Sequence, residues 1–142
     1  MGGSRVSSDL ELSVIIPYYN SGEVLEQAVA SVLQSDVKVE CIIVDDGSTL
    51  SDSKNALQAV KKKFPEVVIF SQQNQGLSSA RNVGADLANT EFLFFLDADD
   101  TISSGSLRAL LSEARRFNTK DHVYFPLVRL TGSRSGWCSK CA

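Results

Sequence analysis

Apolar and polar positions alternate along this chain in two rhythms. Short apolar, β-branched runs occur at Leu12–Ile16, Val39–Val44, Val67–Phe70, Glu91–Leu96 and His122–Leu130, each of strand length. Between them, apolar residues recur at helical spacing. Leu25, Val29, Val32 and Leu33 form one stripe, with Asn20 and Glu23 placed as a capping box before it. Leu57, Val60 and Phe64 mark a second helix, with Lys61, Lys62 and Lys63 near its end, where positive charge suits the helix dipole, and Pro65 as its stop. Ala80, Gly84, Leu87 and Ala88 mark a third, whose small residues allow close approach to a sheet. Leu107, Leu110, Leu111 and Ala114 mark a fourth. Strand–helix alternation at this spacing predicts βαβ units: an α/β fold with a mostly parallel sheet and helices on both faces. The continuous apolar strands agree, because strands covered on both faces need no polar side.

Composition narrows the classes. The 142 residues suit one domain over residues 11–130, with residues 1–10 a disordered or added tail and 131–142 a C-terminal tail at a truncation point. A hydrophobic share of 43% supports a packed core. The net charge of −3 argues against a nucleic-acid partner, which a basic surface would serve. No apolar run approaches the roughly 20 residues that span a bilayer, and Met1–Asp9 lacks the apolar segment of a signal peptide. Three cysteines, an odd count, do not suggest a disulfide framework; Cys41 reads as a buried thiol, and the cytoplasm is the expected compartment, with any membrane association supplied by other parts of a longer protein.

Ligands of an open parallel sheet bind beyond the carboxyl ends of its strands. The first strand runs into Pro17-Tyr18-Tyr19-Asn20, the second into Asp45-Asp46-Gly47-Ser48, the third into Ser71–Gly76 and the fourth into Asp97-Ala98-Asp99-Asp100. The fold is expected to bring Asp45, Asp46, Asp97, Asp99 and Asp100 into one cleft. Two unit charges 4 Å apart repel by about 4 kcal/mol at an effective dielectric near 20. A divalent cation would offset this, and Mg²⁺ needs only one or two carboxylates beside substrate phosphates. Turn and capping chemistry explains Asp45-Asp46-Gly47-Ser48 as well as function does, but covers at most one carboxylate of Asp97–Asp100. Gly76 precedes a helix start, a ready anion site. Arg81 and Asn82 follow in the first turns. Taken alone, that segment reads as a solvated loop with an exposed arginine.

Taken together, Val14–Asn20, Ile42–Thr49, Asn74–Asn82 with Gly84, and Phe94–Asp100 resemble the family 2 glycosyltransferases, which have the GT-A fold, in order and in approximate spacing. The resemblance spans roughly Glu11 to Leu130. It implies a nucleotide-diphosphate sugar donor, a UDP-sugar favoured, and a Mg²⁺ or Mn²⁺ ion. It implies that the Pro17–Tyr19 backbone, through Pro17, Tyr18 and Tyr19, holds the nucleobase with Asp46. Asp97 would lie near the ribose and Asp99 would bind the metal in an Asp-x-Asp motif. Arg81 would lie close to the diphosphate or tie the acidic loops together. The implied reaction is an inverting transfer to an acceptor hydroxyl on a glycan, lipid or protein. The family's general-base carboxylate lies beyond the Asp-x-Asp motif, and no Asp or Glu follows Leu130, so the catalytic residue is unassigned and this chain is expected to be the donor-binding part. A truncated sheet would expose apolar surface and favour self-association.

Two other classes compete: a non-catalytic nucleotide- or metal-binding module, and a nucleotidyltransferase-like phosphate enzyme. The latter would show a Gly-rich basic loop after the first strand, which Pro17-Tyr18-Tyr19-Asn20 is not. Trp137-Cys138-Ser139-Lys140-Cys141 mimics a thioredoxin-like motif, but one residue after Cys141 leaves no room for the helix that chemistry needs. A zinc site would have to draw on Cys41 and His122 as well. The tail is expected to be inert, and His122 to begin a strand.

Overall fold

The computed structural model describes residues 9–116, 123–124 and 127–129, so residues 1–8 and 130–142, His122 and the Trp137–Cys141 motif lie outside the described residues. The elements run β1 (Leu12–Tyr18), α1 (Val24–Leu33), β2 (Val39–Asp45), α2 (Ser51–Lys63), β3 (Val68–Ser71), α3 (Leu77–Leu87), β4 (Phe92–Phe95), α4 (Ser106–Arg116), β5 (Val123–Tyr124) and β6 (Leu127–Arg129). One sheet has the order β3-β2-β1-β4-β6-β5. β3, β2, β1 and β4 are parallel, while β6 runs antiparallel to β4 and β5 antiparallel to β6. The fourfold βα alternation is thus as the apolar rhythm predicts. The last apolar run is not one strand but two. Pro126, between them in sequence, has no N–H to donate to a ladder and cannot sit inside a continuous central strand.

β1 is buried along its whole length because it lies between β2 and β4 and under helices on both faces. Its alternate residues serve different layers. Leu12, Val14, Ile16 and Tyr18 pack with Leu25, Val29 and Val32 of α1, Leu57 and Val60 of α2, and Leu107 and Leu111 of α4. Ile15, on the other face, packs with Ile42, Val44 and Leu93 and with Ala80 and Ala85 of α3. α3 lies so close that a Cβ built on Gly84 would sit 2.3 Å from Ile15 Cγ2. A side chain there would overlap the sheet, so glycine is what permits this approach.

The amino edge of the sheet is closed by a polar clasp. Ser13 Oγ donates to Glu40 (2.9 Å) and shares a 2.7 Å hydrogen bond with Thr90 Oγ1, and Asn89 donates from Nδ2 and backbone N to the same Glu40 carboxylate. The carboxyl edge is left free for loops. Register places Tyr18 opposite Asp45 and Asp45 opposite Ser71, and the ladder extends by Asp46 N–H to Tyr18 O, Gln72 N–H to Asp45 O and Leu96 N–H to Ile15 O. β1, β2 and β3 therefore end level, while β4 stops at Phe95 opposite Ile15, so that the chain beyond it, through Asp97, runs on at the same edge.

Candidate functional site

A cleft of about 530 Å³ opens at that carboxyl edge. The β1 end contributes Pro17, Tyr18 and Tyr19, the β2 end Asp46, the β3–α3 loop Asn74 and Gly76, and the β4 end Asp97, Ala98 and Asp99. Of the seven residues to which the resemblance gives a donor or metal role, six line it. The seventh, Arg81, reaches the same place from α3, with Nη2 at 3.7 Å from Asp97 Oδ1. Arg81 is half-buried rather than a solvated surface arginine, and its Nε is buried with no hydrogen-bond partner among the described residues. Ser21, Val24 and Leu77 also line the cleft and were not anticipated. Leu77 is 52% exposed at the start of α3. An apolar residue opening a helix after a polar loop was the available signal.

The five aspartates do not share one environment. Asp45 and Asp46 are adjacent on an extended backbone, so their side chains take opposite faces. Asp45 accepts from Ser48 N–H (3.0 Å) and Ser71 Oγ (3.4 Å) and borders a different hollow, beside Lys54 and Lys61 of α2. The expected five-carboxylate cleft is therefore corrected: Asp45 belongs to the turn and the α2 side. Asp46 is 4% exposed, and its charge is met by protein donors. Oδ1 accepts from Gln72 Nε2 (2.8 Å) and Gln75 N–H (2.8 Å), and Oδ2 from Asn74 Nδ2 (3.2 Å) and Gly76 N–H (2.9 Å). The Asp46 carboxylate is thus held by the loop that leads into α3, on the N–H groups of Gln75 and Gly76. Gly47, at φ +79°, permits the loop to close so tightly that a Cβ on it would lie 2.8 Å from Asn74 N.

Asp97, Asp99 and Asp100 remain as a cluster. They are exposed, and one carboxylate oxygen from each lies within 4.8 Å of the others. Asp100 N–H closes a turn onto Asp97 O at 3.0 Å. α4 begins only at Ser106, so none of the three caps it. Hard, negatively charged oxygens converging at a water-accessible rim suit Mg²⁺ or Mn²⁺, which take oxygen ligands and keep water in their shell.

The capping box expected at α1 does not form. The residue before α1 is Glu23, with no side-chain cap, and Asn20 turns away at φ 51° to serve another helix. Its Oδ1 accepts from Thr49 N–H (2.9 Å) and Leu50 N–H (3.0 Å), at the entry to α2.

Comparison with known proteins now gives this edge a context. The family model described as glycosyl transferase family 2 matches residues 13–137. The chain is 39% identical over 106 residues to the GalNAc(5)-diNAcBac-PP-undecaprenol beta-1,3-glucosyltransferase of Campylobacter jejuni, covering 73% of this chain and 34% of that protein. It is 34% identical over 126 residues to the cholesterol galactosyltransferase of Borreliella burgdorferi, covering 84% and 35%. The chain spans about a third of the length of these relatives. Among solved structures it resembles S. aureus TarS 1-349 in complex with UDP-GlcNAc, at TM-score 0.62 and 31% identity, over 75% of this chain and 32% of that one. The fold is shared with the mannosyltransferase PcManGT of Pyrobaculum calidifontis, solved with GDP-Man and Mn²⁺, at TM-score 0.59 and 23% identity, over 68% and 30%. A glycosyltransferase domain, rather than a nucleotidyltransferase, is what four motifs at one sheet edge encode: the chain belongs to glycosyl transferase family 2.

Proposed function

We propose that this chain binds a nucleotide-diphosphate sugar, a UDP-sugar before others, in the carboxyl-edge cleft, as the donor-binding part of an inverting, metal-dependent glycosyltransferase. The observation that carries this reading is a single cleft lined by the ends of three neighbouring strands. Pro17–Tyr19 follow β1 in the middle, Asp46 follows β2 on one side, and Asp97-Ala98-Asp99 follow β4 on the other, with the exposed cluster Asp97, Asp99 and Asp100 there. The base lies along the Pro17, Tyr18 and Tyr19 backbone. Tyr18's hydroxyl is committed to Gly22 O and Ser53 O, while Tyr19 is half-exposed at the cleft. Asp46 bounds the base pocket, and Asp97 stands toward the ribose. Arg81 is placed for the diphosphate through Nη2, which stands beside the cleft-lining Asp97.

Asp99, with Asp97 and Asp100 beside it, would hold Mg²⁺ or Mn²⁺ through carboxylate oxygens. When bound, such an ion acts as a Lewis acid that neutralises the departing nucleoside diphosphate. In the transfer, the acceptor hydroxyl oxygen bonds the anomeric carbon from the face opposite the leaving group. The bond from that carbon to the phosphate oxygen breaks, and the hydroxyl proton passes to a base. That base is expected beyond the Asp-x-Asp motif, and the hydroxyl belongs to a glycan, lipid or protein acceptor.

Calorimetric titration of UDP into the chain, with and without Mn²⁺, tests the reading. Mn²⁺ is expected to tighten UDP binding about tenfold or more, equivalent to about 1.4 kcal/mol, and Asp99→Ala to remove that gain. Equal UDP affinity with and without Mn²⁺ would sink the metal site. Absence of UDP binding under both conditions would sink the donor site.

A further inference from the structure

Asn20 sits between two cleft-lining residues, Tyr19 and Ser21, yet its own side chain is directed out of the cleft. It makes four hydrogen bonds to the loop that follows β2. Its N–H donates to Ser48 Oγ (3.0 Å), Nδ2 donates to Thr49 Oγ1 (3.2 Å), and Oδ1 accepts from the N–H groups of Thr49 and Leu50. Leu50 is the N-cap residue of α2 and provides no side-chain cap of its own. A helix start leaves backbone donors unsatisfied, and here a residue 30 positions earlier supplies the acceptor. The backbone geometry agrees. Asn20 is the one non-glycine residue at positive φ among the described residues. Asparagine tolerates that region better than most side chains. Two neighbours complete the junction: Gly22 N–H donates to Ser53 Oγ (3.1 Å), and Tyr18 Oη donates to Gly22 O and Ser53 O.

We propose that Asn20 is a positioning residue for the nucleotide: it locks the β1–α1 loop to the start of α2 and so fixes the distance between Tyr19 and Asp46, on the two loops that bound the base pocket. This rests on the donor-binding reading above. Asn20 itself touches no ligand. Its side-chain acceptor holds one wall in place, and its left-handed backbone turns the chain so that Tyr19 and Ser21 face the cleft. Glycine at this position would preserve the turn and the N–H bond to Ser48 and delete the three side-chain bonds, which separates the two contributions. Aspartate would preserve the acceptor.

The test measures UDP affinity by calorimetry with Mn²⁺ present, and amide hydrogen exchange by mass spectrometry, on the wild-type chain, Asn20→Gly, Asn20→Asp and Ser48→Ala, at a temperature where each is folded by circular dichroism. Asn20→Gly is expected to raise the UDP Kd about tenfold and Asn20→Asp no more than about threefold. Ser48→Ala, which deletes the acceptor of the Asn20 N–H from the facing loop, is expected to raise it roughly threefold. Exchange should accelerate in Asn20→Gly at Thr49 and Leu50 and also at Gly22, across the junction. Wild-type UDP affinity in Asn20→Gly would overturn the proposal, leaving Asn20 a local cap of α2. Unaltered exchange at Gly22 would overturn it as well, since the loops would then not be coupled. If the wild-type chain binds no UDP, the donor reading fails, and exchange at Gly22 alone decides whether Asn20 joins the loops.

Discussion

Asp46 offers the sharpest test of how this cleft is built. Each of its carboxylate oxygens accepts one backbone N–H and one side-chain amide: Oδ1 from Gln75 and Gln72, Oδ2 from Gly76 and Asn74. In Asp46→Asn, the amide retains one oxygen. Whichever way it turns, one backbone N–H and one side-chain amide face an NH₂ group. The carboxylate is buried, while its backbone donors belong to the exposed residues Gln75 and Gly76, so what is lost is a hydrogen bond to a charged acceptor. One such bond is worth about 1.5–3 kcal/mol, so that range is expected for Asp46→Asn. Asp46→Ala loses both backbone bonds and should cost about twice as much, near 3–6 kcal/mol. Urea unfolding followed by circular dichroism reads this as a shift in midpoint at constant slope. Hydrogen exchange should locate it, with Gln75 and Gly76 losing protection while the β1–β2 ladder is unaffected. The reasoning is refuted if Asp46→Asn unfolds at the wild-type midpoint, or if Asp46→Ala costs no more than Asp46→Asn. Either result would mean that the β3–α3 loop is ordered by something other than this carboxylate.

Three further outcomes are expected. Gly84→Ala should destabilise the fold by about 1–3 kcal/mol, because its Cβ meets both γ-carbons of Ile15 in a packed interior; a neutral thermal-melting result would show that α3 can lift without loss. Glu11, paired with Arg108 and Arg115, has its carboxyl held down at about 2, chiefly by the Arg108 hydrogen bond and then by the Lys38 N–H. Its folded value lies below its ordinary 4.5, so its stabilisation is fully present above pH 4.5 and disappears as pH falls toward 2. For a pair at the surface that contribution is about 1 kcal/mol, and Glu11→Gln should flatten the pH dependence of urea unfolding across that window; an unchanged slope there would contradict it. Burial pushes the Cys41 thiol up to about 12, so under native conditions Cys41 should resist alkylation by iodoacetamide and react only after unfolding, as peptide mass mapping would report. Modification of Cys41 at the rate of a free surface thiol would show that β2 opens locally.

Legibility in the sequence followed the range of the interactions. Strand and helix identity rests on the spacing of apolar residues, which is local, so the runs around Ile15, Ile42 and Leu93 and the stripe from Leu25 to Leu33 were readable without coordinates. The parallel sheet followed from the βα alternation, and the shared carboxyl edge followed from the sheet. That is why Pro17, Tyr18, Tyr19, Asp46, Asp97 and Asp99 were expected together and are found together.

Tertiary structure decided the partners of polar groups. A carboxylate or amide can be satisfied by any donor that the fold carries to it, and sequence distance does not limit that choice. Asn20 has the composition of a cap for α1 and caps α2 instead, since its left-handed backbone aims its side chain across the sheet edge. Asp45 and Asp46 look like a pair, but the extended backbone turns them to opposite faces. Gly76 reads in sequence as the residue before a helix, yet only the folded loop shows its N–H committed to Asp46. By itself, then, the sequence determined the fold class and the edge where a donor would lie, because apolar periodicity is written in neighbouring residues. Which carboxylates are spent holding that edge together, and which are left at the rim for a ligand, depended on contacts across 26 to 30 residues that only the packed chain brings within hydrogen-bond reach.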